Sequence, residues 1–166
     1  MVSRAYTHTD GGEAQRSVRV TETSRPIAVK ALYLLTDVEG ENNGNFTVFP
    51  GSHMRPFLPE RDPPMTPHSP GAVHLEGKAG DCFIFPHALW HGPAPNNSGR
   101  ARKTLLYNYC QMFVRSYDHA GVPDLAQRAT PRQRRLLGDL GYDFRPGSYF
   151  YAPQDQVEVI MGNGRA

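Results

Sequence analysis

A histidine and an aspartate stand two positions apart near the start of the chain, at His8 and Asp10. In an extended backbone, side chains at positions i and i+2 point to the same side, so both groups can face one point in space. Two histidines and one carboxylate on one face of an octahedron are a ligand set for non-haem iron. The pair suits a metal site only if a second histidine comes from elsewhere in the chain, because His-x-Asp also occurs by chance and a polar N-terminus is usually a solvated tail.

The stretch from Asp81 to Tyr109 offers that histidine. An apolar run, a turn-rich polar segment and a second apolar run follow one another there, which predicts two strands joined by a loop. His87 and His91 stand near the end of the first strand, and Arg100 and Arg102 stand near the start of the second. An arginine close to the metal could bind the far carboxylate of a diacid, because its planar fork makes bidentate contacts. The residue types and positions alone do not decide which histidine would bind the metal or which arginine would bind the diacid.

The elements that must position these residues are predicted to be short strands. The sequence holds 16 Gly and 15 Pro, which favours many turns over a helix bundle. The apolar run 27–35 could be a buried strand or a short helix. Turn formers follow it, and then the run 46–49, which together predict a hairpin from about Ala28 to Phe49. Further strands are predicted at 73–76, 82–85 and 105–109.

A short helix is predicted near the C-terminus. Thr130, Pro131 and Gln133 have the form of a capping box with proline at the first helical position. Gly141 is the predicted C-terminal stop of this helix.

Composition and charge exclude several classes of protein. The net charge of +2 shows no pull toward nucleic acid, and no apolar run approaches the ~18–20 residues of a membrane span. Cys82 and Cys110 lack the spacing of a zinc ribbon, and each is expected to behave as a small hydrophobe. Whether the two cysteines form a disulfide stays open. We expect a cytoplasmic protein that binds neither nucleic acid nor membrane.

Taken in order, the motifs of the chain resemble the phytanoyl-CoA dioxygenase family of Fe(II)/2-oxoglutarate oxygenases. The similarity covers about residues 3 to 114, and Arg102 closes the series eleven positions after His91. Single motifs of this kind are weak, whereas the ordered set at family-like spacing is specific. The other motifs are His8-x-Asp10, Leu34-x-x-Asp37, Glu41-Asn-Asn-Gly44, Val48-Phe-Pro-Gly-Ser-His53, Ala79-Gly80-Asp81 and His91-Gly92-x-x-x-Asn96.

The resemblance implies a role for each candidate site residue. His8, Asp10 and His91 are implied to be the catalytic metal ligands. Arg102 is implied to bind the C5 carboxylate of 2-oxoglutarate, with Arg100 as its rival. The implied cofactors are Fe(II), the cosubstrate 2-oxoglutarate and O2.

The resemblance also implies a fold and a reaction. The fold is all-β: a double-stranded β-helix (jelly roll) over residues 1–118, with a short helical extension at 119–166 packed on it in one domain. The reaction is hydroxylation of a small organic substrate, with decarboxylation of 2-oxoglutarate to succinate. The oligomeric state and the roles of His53 and His87 stay open, although the PGSH turn favours a structural role for His53.

Two features depart from the family, and two other functions stay open. Pro93 stands where members often have Ser or Thr, and only seven residues precede His8, so a truncated or minimal member is expected. The chain could instead be a non-catalytic jelly-roll binding module, or an oxygenase that has lost activity. A cupin-type metal enzyme without 2-oxoglutarate is disfavoured, because the sequence has no His-x-His.

Overall fold

The computed structural model describes residues 7–10, 26–55, 65–111, 114 and 123–139. The chain divides into two compact units, Met1–Cys110 and Gln111–Ala166. The domain organisation expected from the sequence, with its boundary at residue 118 and an extension packed on the core, stays a prediction.

The first unit is built from two antiparallel sheets of short strands. In its described part, β1 lies between β4 and β6 in one sheet, and β2 lies between β3 and β5 in the other. The strands in chain order are β1 (Ala28–Leu34), β2 (Phe46–Val48), β3 (Val73–Leu75), β4 (Cys82–Pro86), β5 (His91–Pro93) and β6 (Thr104–Cys110).

The predicted hairpin from Ala28 to Phe49 is wrong, because β1 and β2 belong to different sheets. All seven residues of β1 pair with β6, a partner far along the chain that matches its length. The loop between β1 and β2 is held by the buried side chain of Asn45, which donates to Gly40 O at 3.0 Å and to Leu75 O at 3.2 Å. The loop therefore crosses from one sheet to the other instead of closing a tight turn.

A hydrophobic core lies between the two sheets. The run 27–35 is a strand whose alternate residues face inward: Leu32 and Leu34 are buried against Phe46 and Val48 of the second sheet. Burial of each such side chain contributes about 1.5–3 kcal/mol. The fold is the predicted all-β jelly roll, in which two sheets enclose one core.

Both cysteines are free, so the possible disulfide is absent, and both are exposed. Cys82 pairs in register with Tyr33, near one end of β1, whereas Cys110 pairs with Ala28 at the other end. That separation is too large for a disulfide.

The second unit contains two short helices in its described part, α1 (Pro123–Arg128) and α2 (Pro131–Leu136). The capping box at Thr130 and Gln133 is confirmed. The predicted stop at Gly141, which lies outside the described residues, is not where α2 ends. Gly138 ends the helix with a φ of 82°, and the amide of Asp139 donates to Arg134 O at 2.9 Å, as in a Schellman motif. No helix in the described ranges is long and apolar enough to cross a membrane.

Candidate metal and cosubstrate site

The segment that carries His8 and Asp10 lies antiparallel beside β5, which carries His91. The amide of His8 donates to His91 O at 2.8 Å, and the amide of His91 donates to His8 O at 2.9 Å. The amide of Asp10 donates to His87 O at 3.1 Å, which anchors the segment at a second point. This pairing brings together two parts of the chain that are about 80 residues apart in the sequence.

His8, Asp10 and His91 form a cluster in which one ligand atom from each lies within 4.8 Å of the others. His91 Nε2 is 3.2 Å from Asp10 Oδ2, and His8 Nε2 is 3.8 Å from Asp10 Oδ1. Ligands that bind one octahedral ion at about 2.1 Å and at right angles are about 3 Å apart. The three groups therefore fit a facial metal site with little rearrangement.

The tautomer of His91 suits a metal ligand. Its Nδ1 lies 2.8 Å from Leu89 O, and a carbonyl oxygen can only accept, so Nδ1 carries the proton. In the neutral ring, Nε2 then presents a lone pair toward Asp10 Oδ2, which is also an acceptor. Two acceptors at 3.2 Å need a cation between them, either a proton on Nε2 or a metal ion. The donor set therefore fits a metal ion.

Apolar side chains surround His91 on the side of the core. The ring centroids of Phe85 and Phe46 lie 5.0 and 5.4 Å from that of His91, and the residue is only 5% exposed. Tight packing restricts the rotamers of the imidazole. It also keeps water away from one side of the cluster.

The carboxylate of Asp10 is stabilised in its ionised form. Burial alone would raise the pKa of Asp10, but the hydrogen bonds and positive charges of His91 and Lys30 outweigh it and lower that pKa to about 2. Lys30 Nζ is 2.9 Å from Asp10 Oδ2. Sequence reasoning missed Lys30, although a lone charged residue within the apolar run of β1 was a detectable signal.

The structure distinguishes the two candidate arginines. Arg102 is half-buried and Arg100 is exposed. The stem of Arg102 lies over Gly44, where a Cβ would be 3.4 Å from both Cβ and Cδ of the arginine. Burial lowers the pKa of Arg102, and within the described ranges no carboxylate lies within ion-pair distance of it. A half-buried guanidinium of this kind is suited to bind an external anion.

Three other polar residues from the sequence motifs lie outside the cluster. His87 is buried, with Nδ1 3.3 Å from Ala28 O. His53 lies in a 3-10 helix, Ser52–Met54. Asp81 accepts from the amide of Lys78 at 2.7 Å, in the turn before β4.

The profile of the phytanoyl-CoA dioxygenase (PhyH) family matches residues 4–104. The chain belongs to the phytanoyl-CoA dioxygenase family. The matched range contains His8, Asp10, His91 and Arg102. Fe(II), 2-oxoglutarate and O2, the cofactors implied by the sequence, are those of this family.

Curated proteins from other organisms are similar in sequence to this chain. An uncharacterised protein of Mycobacterium tuberculosis is 27% identical over 126 residues, which is 74% of this chain and 45% of that protein. Dioxygenase cdmA of Talaromyces verruculosus is 29% identical over 127 residues, which is 72% of this chain and 41% of that protein. The chain thus spans less than half the length of these curated relatives.

Among solved structures, HygX from Streptomyces hygroscopicus has the same fold. Its crystal structure with nickel, 2-oxoglutarate and hygromycin B bound has a TM-score of 0.54 and 26% identity to this chain. The match covers 73% of this chain and 56% of HygX. The apo form of HygX has a TM-score of 0.55 and 25% identity.

Proposed function

We propose that this chain acts as an Fe(II)- and 2-oxoglutarate-dependent dioxygenase that hydroxylates a small organic substrate. The observation that carries the proposal is the cluster of His8, Asp10 and His91, in which His91 Nε2 lies 3.2 Å from Asp10 Oδ2 while His91 Nδ1 is bound to Leu89 O. That arrangement matches a metal ligand oriented by a backbone carbonyl.

Each residue of the proposed site has a distinct task. His8, Asp10 and His91 would hold the metal, whose remaining coordination positions would be available to other ligands. Arg102 binds the C5 carboxylate of 2-oxoglutarate and thereby orients it. The aromatic rings beside His91 exclude water from one side of the metal.

Iron and 2-oxoglutarate supply the oxidation when bound: one atom of O2 enters succinate as CO2 is released, and the other enters the substrate. The protein contributes the ligands, the orientation and the surroundings of this chemistry.

Anaerobic addition of Fe(II) and 2-oxoglutarate tests the proposal by visible absorption. The complex of metal and cosubstrate has a weak charge-transfer band, which we expect in the natural sequence. His91→Ala should lose both the band and succinate formation, whereas the matched control His53→Ala, outside the cluster, should retain both. Turnover by His91→Ala would contradict the ligand assignment.

The same experiment separates the alternatives. Iron binding without the band would favour a metal enzyme that uses no 2-oxoglutarate. Absence of iron binding would favour a jelly-roll binding module, and either result would refute the proposal.

A further inference from the structure

Lys30 is a cation on the inner face of β1. Residues 28, 30, 32 and 34 alternate toward the core, and the neighbours of Lys30 on this face, Ala28 and Leu32, are buried. The side chain of Lys30 is itself only 12% exposed. Its register partner on β4 is Phe85, whose ring centroid lies 5.0 Å from that of His91. Through Phe85, Lys30 is therefore a near neighbour of the metal cluster.

The ammonium group of Lys30 shares one oxygen atom with the proposed metal site. Lys30 Nζ lies 2.9 Å from Asp10 Oδ2, and His91 Nε2 lies 3.2 Å from the same oxygen. A metal ion that used this oxygen would therefore lie close to a fixed positive charge. At short range and partial burial, like charges repel strongly, and screening by salt is weak.

We propose that Lys30 couples the binding of the metal to the binding of an anionic cosubstrate. The inference rests on the proposed function. A divalent metal (+2) with Asp10 (−1) has a charge of +1, and Lys30 raises it to +2. The repulsion from Lys30 weakens binding of the metal alone, and the dianion 2-oxoglutarate offsets it. Lys30 thus favours the state with both metal and 2-oxoglutarate bound over the state with metal alone.

A purely structural role for Lys30 has the opposite consequence. If the ammonium only held Asp10 in place, its removal would disorder the carboxylate, and the bare metal would bind more weakly. If it only packed against the core, its removal would change stability and leave the coupling intact. The sign of the change in metal affinity therefore separates coupling from positioning.

The test is the dissociation constant of Co(II), measured by calorimetry with and without saturating 2-oxoglutarate. Linkage requires each ligand to tighten the other by the same factor. For Lys30→Met we expect Co(II) alone to bind at least about tenfold tighter than to the natural sequence, because a like charge is gone. The factor by which 2-oxoglutarate tightens Co(II) should fall at least about tenfold.

Three further variants control this test. Lys78→Met removes the same charge from a lysine that pairs with Asp37 and Glu39 on the surface, and it should leave both quantities unchanged. Lys30→Arg keeps the charge and should retain most of the coupling. Lys30→Gln also removes the charge, so the question can still be answered if Lys30→Met fails to fold.

The outcomes separate this inference from the proposed function. Weaker Co(II) binding by the neutral variants, or an unchanged coupling factor, would overturn the role of Lys30 alone. If the natural sequence bound no Co(II), or if 2-oxoglutarate did not affect its affinity, the proposed function and this inference would both fail.

Discussion

Replacing Arg102 with lysine tests the proposed cosubstrate site most directly. The substitution keeps the positive charge and removes the planar fork, so a bidentate contact with a carboxylate becomes a single one. The guanidinium is half-buried, with its stem over Gly44, so water can replace the lost hydrogen bond only in part. The substitution should therefore weaken binding of the anion and have little effect on the stability of the fold.

The size of the effect follows from the strength of one charge-assisted hydrogen bond. Such a bond contributes about 1.5–3 kcal/mol, which corresponds to about 10- to 150-fold in the dissociation constant of 2-oxoglutarate. The affinity of the metal alone should change by less than about threefold, since no ligand to the metal is altered.

The assay is titration of the anaerobic Fe(II) protein with 2-oxoglutarate, together with the KM for 2-oxoglutarate in turnover. Arg100→Lys is the matched control, because Arg100 is exposed and only two positions away. An unchanged affinity in Arg102→Lys with a weakened one in Arg100→Lys would assign the anion to Arg100. Unchanged affinity in both variants would refute an arginine partner in this stretch.

Three further predictions concern the surroundings of the site. Gly44→Ala should cost about 1–2 kcal/mol of stability, because Gly44 has a φ of 76° that a residue with a Cβ adopts only under strain. The new Cβ would also contact the stem of Arg102 at 3.4 Å, so relief of the strain should shift Arg102 and raise the KM for 2-oxoglutarate severalfold; an unchanged KM would show that Arg102 is not held there. Asp10 has a pKa of about 2 against an ordinary value of 3.8, so the ionised carboxylate stabilises the fold above about pH 4 and this contribution is lost as pH falls toward 2. Denaturant unfolding of the metal-free protein should show Asp10→Asn to be less stable than the natural sequence at neutral pH, by on the order of 1–2 kcal/mol after solvent screening, with the gap closing at pH 2; a pH-independent gap would contradict the shifted pKa. Phe46→Ala should cost about 3–5 kcal/mol in thermal or denaturant unfolding and weaken metal binding, because Phe46 packs on His91; intact metal affinity in the folded variant would show that its ring does not position the imidazole.

The parts of the site that could be predicted from sequence are those fixed by local geometry or by ordered motifs. The i, i+2 spacing of His8 and Asp10 places both side chains on one side of any extended segment, and the structure brings both to His91. The capping box at Thr130 forms for the same reason, since all of its hydrogen bonds lie within four residues.

The pairing of strands could not be read from local signals. A turn-rich loop after β1 favours a hairpin with β2, yet β1 pairs with β4 and, over its whole length, with β6, both far along the chain. The free energy gained by pairing and burying the whole of β1 exceeds the preference of the nearby turn for a hairpin. Likewise, Gly138 and not Gly141 ends α2, because the helix stops where a left-handed residue satisfies its last carbonyls.

Only the tertiary structure decided which charges face the site and which face water. Arg100 and Arg102 are of the same residue type in neighbouring positions, and their difference in burial arises from contacts with a distant loop around Gly44. Lys30 stands out in sequence only as a charge in an apolar strand. Its place beside Asp10 depends on packing between segments that are not neighbours in the chain. Residue type and spacing set what chemistry is available, and long-range packing determines which groups meet to perform it.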